Sequence, residues 1–209
     1  MLTFALSKGR LADKIFKMLK ELNLCDINLL DDDRRLVVED NNYRFFLAKP
    51  SDVPTYVDLG VADLGVVGKD TLLEENRDIT EVLDLGFGKC RMCVCAKEAD
   101  GDSYKNKLNL RVATKYPNIT KEYFDSVNQN CTIIKLNGSV ELGPIVGLSD
   151  VIVDIVESGR TLKENGLAPI TTISNLSARL VCNNASLKTK YEEISEVIKG
   201  FQKLLKEND

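Results

Sequence analysis

The chain has 209 residues, of which 44% are hydrophobic and 29% charged, so it can bury a sizeable core in one domain or in two smaller lobes. Its formal net charge of −4 argues against a nucleic-acid-binding surface, which is normally basic. The sequence contains no histidine, and this excludes imidazole catalysis, Ser/His/Asp triads and most zinc enzymes.

The sequence shows neither a membrane span nor a signal peptide. No apolar run is long enough to cross a bilayer, and Lys8 and Arg10 interrupt the apolar residues near the start of the chain. We therefore expect a cytoplasmic protein that binds neither membranes nor nucleic acid.

The six cysteines are predicted to be buried thiols. Cys90 and Cys93 form a CxxC pattern, but they lie in a strand-like segment, where residues three apart point to opposite faces. Thiols in a reducing compartment also stay unpaired. We therefore expect no disulfide and no metal bound by protein ligands.

The first predicted elements are a strand followed directly by a helix. Residues 2–6 have the composition of a short strand, and apolar residues repeat at helical spacing over residues 11–22. Lys8, Gly9 and Arg10 therefore lie at a strand-to-helix turn and form a candidate anion site. The alternative is that Lys8 and Arg10 are solvated surface cations, as most such residues are.

A hairpin and a helix–strand pair follow. Residues 36–38 and 43–47 are predicted to be the two strands of the hairpin. Ser51 is predicted to cap a helix that ends near Gly60, and residues 62–68 form a buried strand opened by an aspartate.

The same plan recurs later in the chain. Ser139 is predicted to cap a second helix of about ten residues, Gly147 lies near its end, and an apolar strand opened by Asp150 comes next. We interpret this as a weak internal duplication, which predicts two similar lobes facing one cleft. Coincidence between ordinary α/β units accounts for the pattern equally well, since short helices and strands recur in most folds.

The remaining segments extend the alternation of strands and helices. Strands are predicted at residues 82–85, 91–96, 110–115, 131–136, 170–173 and 178–182, and a helix at residues 119–127. This alternation predicts an α/β fold with mixed, largely parallel sheets. A C-terminal helix from about Tyr191 has one apolar stripe, which we expect to dock on the first lobe.

Residues 149–167 carry the strongest functional signal. A β-branched strand interrupted by Asp150 and Asp154 ends at a glycine-centred turn, residues 157–161, and a short helix follows. Backbone amides at the helix start, together with the serine and threonine hydroxyls of the turn, would converge on a phosphate monoester. The two carboxylates would accept hydrogen bonds from sugar hydroxyls. The segment therefore predicts a phosphoribosyl site.

Two structural roles remain open for these residues beside ligand binding. The sequence S-G-x-T after a strand also occurs at ordinary helix caps. An aspartate within an apolar strand is costly unless it is paired, so a salt bridge is an alternative to a sugar contact.

Five motifs, in this order along the chain, resemble the ATP phosphoribosyltransferase family. They are LSKGRL at residues 6–11, KPSDVPTYV at 49–57, ATKYPN at 113–118, NGSVELGPIVGLSD at 137–150 and DIVESGRTLKENGL at 154–167. The resemblance covers nearly the whole chain, and the length resembles the short form of the family. It implies transfer of the phosphoribosyl group from phosphoribosyl pyrophosphate to N1 of ATP, with inversion and release of pyrophosphate, in the first step of histidine biosynthesis.

The resemblance also implies a fold, a cofactor and partners. The family fold is a pair of lobes similar to type II periplasmic solute-binding proteins, which makes residues 1–90 and 180–209 lobe I and residues 91–179 lobe II, with the active site in the cleft between them. Mg²⁺ is implied as a substrate-bound cofactor. The implied partner is a separate regulatory subunit resembling a histidyl-tRNA synthetase, with the catalytic chain as a homodimer within a hetero-oligomer.

The site residues implied by the resemblance fall into groups. Lys8, Arg10 and Arg34 are expected to face the pyrophosphate as catalytic cations. The 5-phosphate is expected to bind at Glu157, Ser158, Gly159, Arg160 and Thr161, with Leu162 next to them, and the ribose at Glu141 and Asp154. Further substrate-binding candidates are Gly9 and Lys49, and, on the ATP side, Leu11, Asp63, Cys90 and Lys115. Lys49 can supply charge but not the bidentate contacts of the arginine that relatives often carry there.

Two other functions compete with this one. A two-lobed cytoplasmic solute-binding or sensor protein would share the fold. It would need neither the phosphate-binding turn at residues 157–161 nor the cationic turn at Lys8, Gly9 and Arg10. A phosphoribosyltransferase of an unrelated fold would share the site, because fold and function are separable. The motifs near the start of the chain favour ATP phosphoribosyltransferase.

Overall fold

The computed structural model describes residues 1–26, 35–40 and 42–207, and within them the chain forms two β-sheets flanked by helices. The strands are β1 Leu2–Ser7, β2 Val37–Asp40, β3 Tyr43–Ala48, β4 Leu64–Gly68, β5 Thr80–Asp84, β6 Cys90–Lys97, β7 Leu110–Thr114, β8 Cys131–Lys135, β9 Val151–Val156, β10 Leu167–Leu176 and β11 Ala178–Cys182. The helices are α1 Arg10–Glu21, α2 Val53–Asp58, α3 Lys69–Glu75, α4 Pro117–Ser126, α5 Leu142–Ile145, α6 Arg160–Glu164, α7 Asn184–Thr189 and α8 Tyr191–Glu207, with 3₁₀ helices at Pro50–Asp52 and Gly101–Asn106. Over the same residues, no helix combines the length and the apolarity needed to cross a membrane.

The chain divides into two units, each built on one sheet. Unit 1 comprises Met1–Gly88 and Ser177–Asp209, and its sheet has the strand order β2-β3-β1-β4-β11-β5. Unit 2 comprises Lys89–Leu176, and its sheet has the order β10-β6-β9-β7-β8.

The two sheets repeat one arrangement of five strands. In unit 1, β3, β1 and β4 are parallel, and β11 and then β5 continue the sheet with antiparallel pairings. In unit 2, β8, β7 and β9 are parallel, and β6 and then β10 continue it in the same way. The strand order therefore supports the internal duplication predicted from the sequence.

The prediction that a serine caps each of the paired helices is wrong. Ser51 lies inside a 3₁₀ helix and donates its hydroxyl to Asp52 at 3.2 Å, and α2 starts only at Val53. The second helix, α5, has four residues instead of about ten. Its sequence accounts for its length, because Pro144 lacks an amide donor and the glycine before it is a poor helix former.

Mixed sheets in an α/β fold are confirmed, but parallel pairing is less common than the alternation of elements predicts. Four of the nine strand pairings in the described part of the chain are parallel, and they join β3, β1 and β4 in unit 1 and β9, β7 and β8 in unit 2. The antiparallel pairings come from the β2–β3 hairpin and from the strands at and near the ends of each unit. Antiparallel neighbours need no helical crossover between them.

Aromatic and aliphatic side chains fill the core of unit 1. Phe4 and Phe45, on neighbouring strands, stack with 5.4 Å between ring centroids on the face covered by α1 and α8. The apolar stripe of α8 is buried there through Ile194, Val197 and Phe201. Each large side chain buried in this way contributes roughly 1.5–3 kcal/mol. The predicted docking of the C-terminal helix on the first lobe is therefore confirmed.

None of the six cysteines, all of which lie among the described residues, forms a disulfide, and most are buried. Cys25, Cys93, Cys95 and Cys182 are buried, and Cys90 and Cys131 are half-buried. The prediction of buried thiols therefore holds for four of the six.

Candidate functional site

The carboxyl ends of β1 and β3 bring two predicted cationic segments together in unit 1. The strands are parallel with Ser7 opposite Ala48, so Lys8 and Lys49 follow directly at the same edge of the sheet. Lys8 N donates a hydrogen bond to Ala48 O at 3.4 Å. In open α/β sheets, ligands bind at this edge.

Lys8, Gly9 and Arg10, called the cation turn below, connect β1 to α1. Gly9 has a φ of 98°, in the region that favours glycine. Asp13 N donates to Gly9 O at 3.2 Å and so closes the first turn of the helix. All three residues of the cation turn are exposed, whereas Leu11 packs against the core of unit 1. The turn therefore presents two cationic side chains at the sheet edge.

Asp63 lies at the opposite end of the unit 1 sheet from the cation turn. Its carboxylate accepts hydrogen bonds from Thr3 N at 2.9 Å, from Ser186 Oγ at 2.7 Å, and from Lys190 Nζ at 2.8 and 2.9 Å. Burial acts to raise the pKa of Asp63, but these donors outweigh burial and hold the pKa below its usual value. The structure therefore does not bring Asp63 together with the cation turn.

Residues 157–161, called the hydroxyl turn below, follow the carboxyl end of β9 in unit 2. Gly159 has a φ of 73°, and α6 begins at the next residue. Arg160 N donates to Ser158 Oγ at 3.4 Å, and Lys163 N donates to Gly159 O at 3.1 Å. Amides in the first turn of a helix have no intrahelical acceptor. Together with the hydroxyls of Ser158 and Thr161, they make this turn rich in hydrogen-bond donors.

Leu162 anchors the hydroxyl turn to the core of unit 2. Its side chain is 6% exposed and packs in a cluster with Ile152, Val156 and Leu167. Glu157, Ser158, Arg160 and Thr161 are exposed. Buried Leu162 therefore anchors the turn, and the hydrogen-bond donors of the turn remain accessible from solvent.

The two predicted ribose ligands, Asp154 and Glu141, both lie close enough to the buried thiol of Cys95 to affect its pKa. Asp154 is half-buried opposite Cys93 in β6, and Glu141 immediately precedes α5. Burial is the main cause that raises the pKa of Cys95 to about 12, and Cys93, Asp154 and Glu141 add to it. The structure thus brings the two carboxylates to the same region of unit 2.

Three more polar residues lie at the edge that carries the hydroxyl turn. Lys115 directly follows β7, Cys90 begins β6, and Arg91 is opposite Val156, the last residue of β9. Arg91 is absent from the residues predicted from the sequence. Its position depends on the antiparallel register of β6 against β9, for which the sequence pattern holds no signal. Together with Arg160, Lys115 and Arg91 place three cationic residues at this edge, which also carries the carboxylate of Glu157.

Asp150 is not at this edge, and the prediction that it faces a sugar beside the turn is wrong. It precedes β9, so it lies at the amino end of the strand. Lys107 Nζ donates to its carboxylate at 2.7 Å, Arg111 N at 2.8 Å and Arg111 Nη2 at 3.0 Å. Burial acts to raise the pKa of Asp150, but these hydrogen bonds lower it to about 2. The salt bridge, the alternative left open by the sequence, is what the structure shows.

Arg34 lies outside the described residues, so its place near Lys8 and Arg10 stays a prediction. In the part of the chain that the structure describes, no three or more Cys, Asp or Glu side chains are grouped to hold a metal ion.

Comparison with known proteins connects this geometry to one family. A family model described as HisG: ATP phosphoribosyltransferase matches residues 49–203. The chain belongs to the ATP phosphoribosyltransferase family. The ATP phosphoribosyltransferase of Caldicellulosiruptor bescii is 51% identical over 210 residues, which cover 99% of this chain and 100% of that protein.

Solved structures agree with the family assignment and the fold. A chain of the HisG:HisZ ATP phosphoribosyl transferase complex from Thermotoga maritima has a TM-score of 0.86 and 37% identity, with full coverage of both chains. The amino acid ABC transporter substrate-binding protein AbpA from Streptococcus pneumoniae has a TM-score of 0.59 and 16% identity, covering 99% of this chain and 90% of that one. This second likeness concerns the fold alone, and it confirms the predicted similarity to solute-binding proteins.

Proposed function

We propose that the cation turn and the hydroxyl turn carry the substrate contacts of an ATP phosphoribosyltransferase. The reaction follows from the family: the chain transfers the 5-phosphoribosyl group from phosphoribosyl pyrophosphate to N1 of ATP and releases pyrophosphate, the first step of histidine biosynthesis. The observation that carries the assignment of residues is that each unit, taken by itself, places its turn at the carboxyl ends of parallel strands, with cations in unit 1 and hydrogen-bond donors in unit 2.

The reaction suits a chain without histidine. N1 of adenine attacks C1′ of the donor in line with the departing pyrophosphate, so inversion follows and no covalent intermediate is needed. The protein's main tasks are to align two anionic substrates and to neutralise the charge that develops on the leaving group. Hydrogen-bond donors and fixed cations perform both tasks.

The hydroxyl turn binds the 5-phosphate of the donor. Ser158 and Thr161 supply exposed hydroxyls beside the amides of the first turn of α6. Phosphate oxygens accept short, charge-assisted hydrogen bonds from such groups. Asp154 and Glu141 accept hydrogen bonds from the ribose hydroxyls, and Arg91 adds positive charge at the same edge.

The cation turn neutralises the pyrophosphate. Lys8 and Arg10 are exposed on either side of Gly9, and Lys49 follows the neighbouring strand at the same edge. Arginine offers a planar fork of donors, and lysine a compact charge, so the two differ in how they hold a phosphate group. Arg34 joins them in this proposal.

Mg²⁺ enters the proposal bound to the pyrophosphate. Mg²⁺ binds oxygen ligands and usually keeps several waters, with only one or two carboxylates from protein. The carboxylates of the described residues are scattered, which fits a metal held mainly by substrate oxygens. Bound there, the ion would neutralise charge on the leaving group.

We also propose that a separate regulatory subunit binds this chain. The relative from Thermotoga maritima belongs to a HisG:HisZ complex, and its chain is 37% identical over the full length of this one. A homodimer within a hetero-oligomer is the proposed assembly. The cytoplasm is the proposed compartment, because six cysteines that form no disulfide suit a reducing environment.

A coupled assay tests the proposed function. The purified chain is mixed with ATP, phosphoribosyl pyrophosphate and Mg²⁺, with pyrophosphatase to remove pyrophosphate, and the N1 adduct is followed by its absorbance. We expect product in the presence of the regulatory subunit and loss of the rate when EDTA removes Mg²⁺. Absence of the adduct with partner and metal both present would overturn the proposal.

A further inference from the structure

A cavity of about 310 Å³ lies in unit 2 at the amino ends of β7 and β9, away from the hydroxyl turn. Its polar lining includes Lys97, Ser103, Lys107, Arg111, Ser149 and Asp150. The six residues of β9 place this cavity roughly 17–20 Å from the turn at the other end of the strand. It is therefore separate from the residues assigned to the donor phosphate.

We propose that this cavity binds a small oxyanion, a phosphate or a carboxylate group. Its lining carries three cations, Lys97, Lys107 and Arg111, against two carboxylates, Asp100 and Asp150. The volume is at the lower end of the range for ligand pockets, about 300–1,000 Å³. It suits a free phosphate or a short carboxylic acid and is too small for a nucleotide.

The contacts of Asp150 leave donors available for such an anion. Each of its carboxylate oxygens accepts two hydrogen bonds, from Lys107, from the Arg111 side chain and from Arg111 N. A lysine has three donors and an arginine five. Within the described residues, Lys107 uses one donor on Asp150, and Arg111 uses three on Asp150 and Gly147 O. The carboxylate is saturated, and the cations are not.

Unit 1 contains an internal comparison for this arrangement. Asp63 has the same place before its strand as Asp150, and one lysine, Lys190, together with Ser186 satisfies its side chain. Asp150 instead has two cationic partners, Lys107 and Arg111. At Asp63 a single cation is enough for the structural role of the aspartate. The second cation at Asp150 is therefore not needed for that role.

Ser149 supplies an independent observation that points to a ligand. The residue is 3% exposed, lines the cavity, and its Oγ is buried with no hydrogen-bond partner within the described residues. The hydroxyl lies close to Gly143, since a Cβ on that glycine would come within 2.5 Å of Ser149 Oγ. Buried hydroxyls are normally paired, and because this one is shielded from solvent, an acceptor bound in the cavity would reach it through a small local shift.

Amide-resolved NMR titration of the whole chain tests the proposal, with inorganic phosphate and citrate as separate probes at constant ionic strength. We expect shift changes at residues 97–107 and 147–151, with a Kd distinct from that of any changes at the hydroxyl turn. Changes with phosphate identify a phosphoryl ligand, and changes with citrate alone identify a carboxylate ligand; either supports the site. Changes confined to residues 157–162 with both probes, or no changes at all, would overturn it, whether or not the chain is an active transferase.

One variant with a matched control separates a specific site from general attraction of anions. Lys107→Gln should raise the Kd at the cavity at least about fivefold and leave the hydroxyl turn unchanged. Lys105→Gln removes the same charge two residues away, where Lys105 pairs with Asp102, and should change the Kd less than about twofold. Equal effects of the two changes would mean that anion binding depends only on the overall surface charge, and they would overturn the proposal.

Ser149→Ala tests directly whether the buried Ser149 hydroxyl contributes to anion binding. If the hydroxyl binds the anion, the variant should raise the Kd about threefold or more. An unchanged Kd accompanied by a higher Tm would show that the serine is only an unpaired buried group, and would contradict its assignment to the site.

Discussion

Asp63 and Asp150 occupy equivalent positions in the two units and make the same pair of backbone contacts. Asp63 N donates to Thr3 O and its carboxylate accepts from Thr3 N, both at 2.9 Å. Asp150 N donates to Arg111 O at 2.9 Å and its carboxylate accepts from Arg111 N at 2.8 Å. Each aspartate thus joins the start of one parallel strand to its neighbour, so the duplicated carboxylate serves the fold.

Replacing Asp63 by asparagine should destabilise the protein. Breaking a buried ion pair costs about 3–5 kcal/mol. Because the side chain of Lys190 is 36% exposed, solvent reduces the cost, and we expect a loss of about 2 kcal/mol. Urea unfolding measures it, with Asp125→Asn as the control, since Asp125 pairs with Lys121 on the surface. Equal losses in the two variants would contradict the structural role of Asp63.

Asp150 should make stability depend on pH in the acid range. Its pKa is about 2 in the folded state and 3.8 ordinarily. A lowered pKa means that the stabilisation is fully present above the ordinary value and is lost as pH falls from there through about 2. Unfolding free energies measured between about pH 5 and pH 2 should therefore fall less steeply in Asp150→Asn than in the parent. Identical slopes would refute this assignment.

Ser158→Ala and Thr161→Ala should each weaken binding of phosphoribosyl pyrophosphate more than binding of ATP. A hydrogen bond to a charged group contributes roughly 1.5–3 kcal/mol, so about a tenfold or greater loss of donor affinity is expected. Titration calorimetry measures both affinities. Ser126→Ala removes an exposed hydroxyl from α4 and should change neither. Unchanged donor affinity in both turn variants would remove the turn from the phosphate site.

Arg10→Ala should lower kcat by a larger factor than it raises KM for ATP. This pattern follows if the guanidinium stabilises the departing pyrophosphate in the transition state more than it holds the ground state. Steady-state kinetics with the partner present measures both parameters. Lys17→Ala, an exposed cation on the same helix, is the matched control and should keep both near the parent values. A rise in KM alone would make Arg10 a binding residue.

The isolated chain should bind phosphoribosyl pyrophosphate without being inhibited by histidine, with little turnover until the regulatory subunit is added. This expectation rests on the proposal above that a separate subunit carries the regulation. Thermal-shift titration measures ligand binding, because a ligand at about 100 times its Kd adds roughly 2.7 kcal/mol of stability. Stabilisation of the chain alone by histidine, or inhibition without a partner, would overturn this expectation.

Local patterns in the sequence predict most of the fold and the two turns. Helical spacing predicts α1 and the buried stripe of α8, and the glycine-centred segment at Gly159 predicts a strand–turn–helix that is present. Such features depend on residues close in sequence, so periodicity and turn chemistry are sufficient to find them.

Features that depend on distant pairing are not visible in the sequence. Arg91 reaches its edge only through the register of β6 against β9, and the cationic partners of Asp150, Lys107 and Arg111, lie far from it along the chain. The helix α7 is also absent from the predicted elements, although Asn183 caps it by accepting hydrogen bonds from Ala185 N and Ser186 N. A six-residue helix is too short to show a clear period, so only its cap residue signals it.

The position of β11 between β4 and β5 has a consequence for biosynthesis. Unit 2 is one continuous segment, whereas unit 1 needs Ser177–Asp209 to complete its sheet and its core. On the ribosome, the facing edges of β4 and β5 stay without their shared neighbour until β11 emerges, and unpaired strand edges promote association with other chains. Residues translated after unit 2 therefore close the unit made before it, and nascent chains that stop before β11 are the ones most exposed to aggregation.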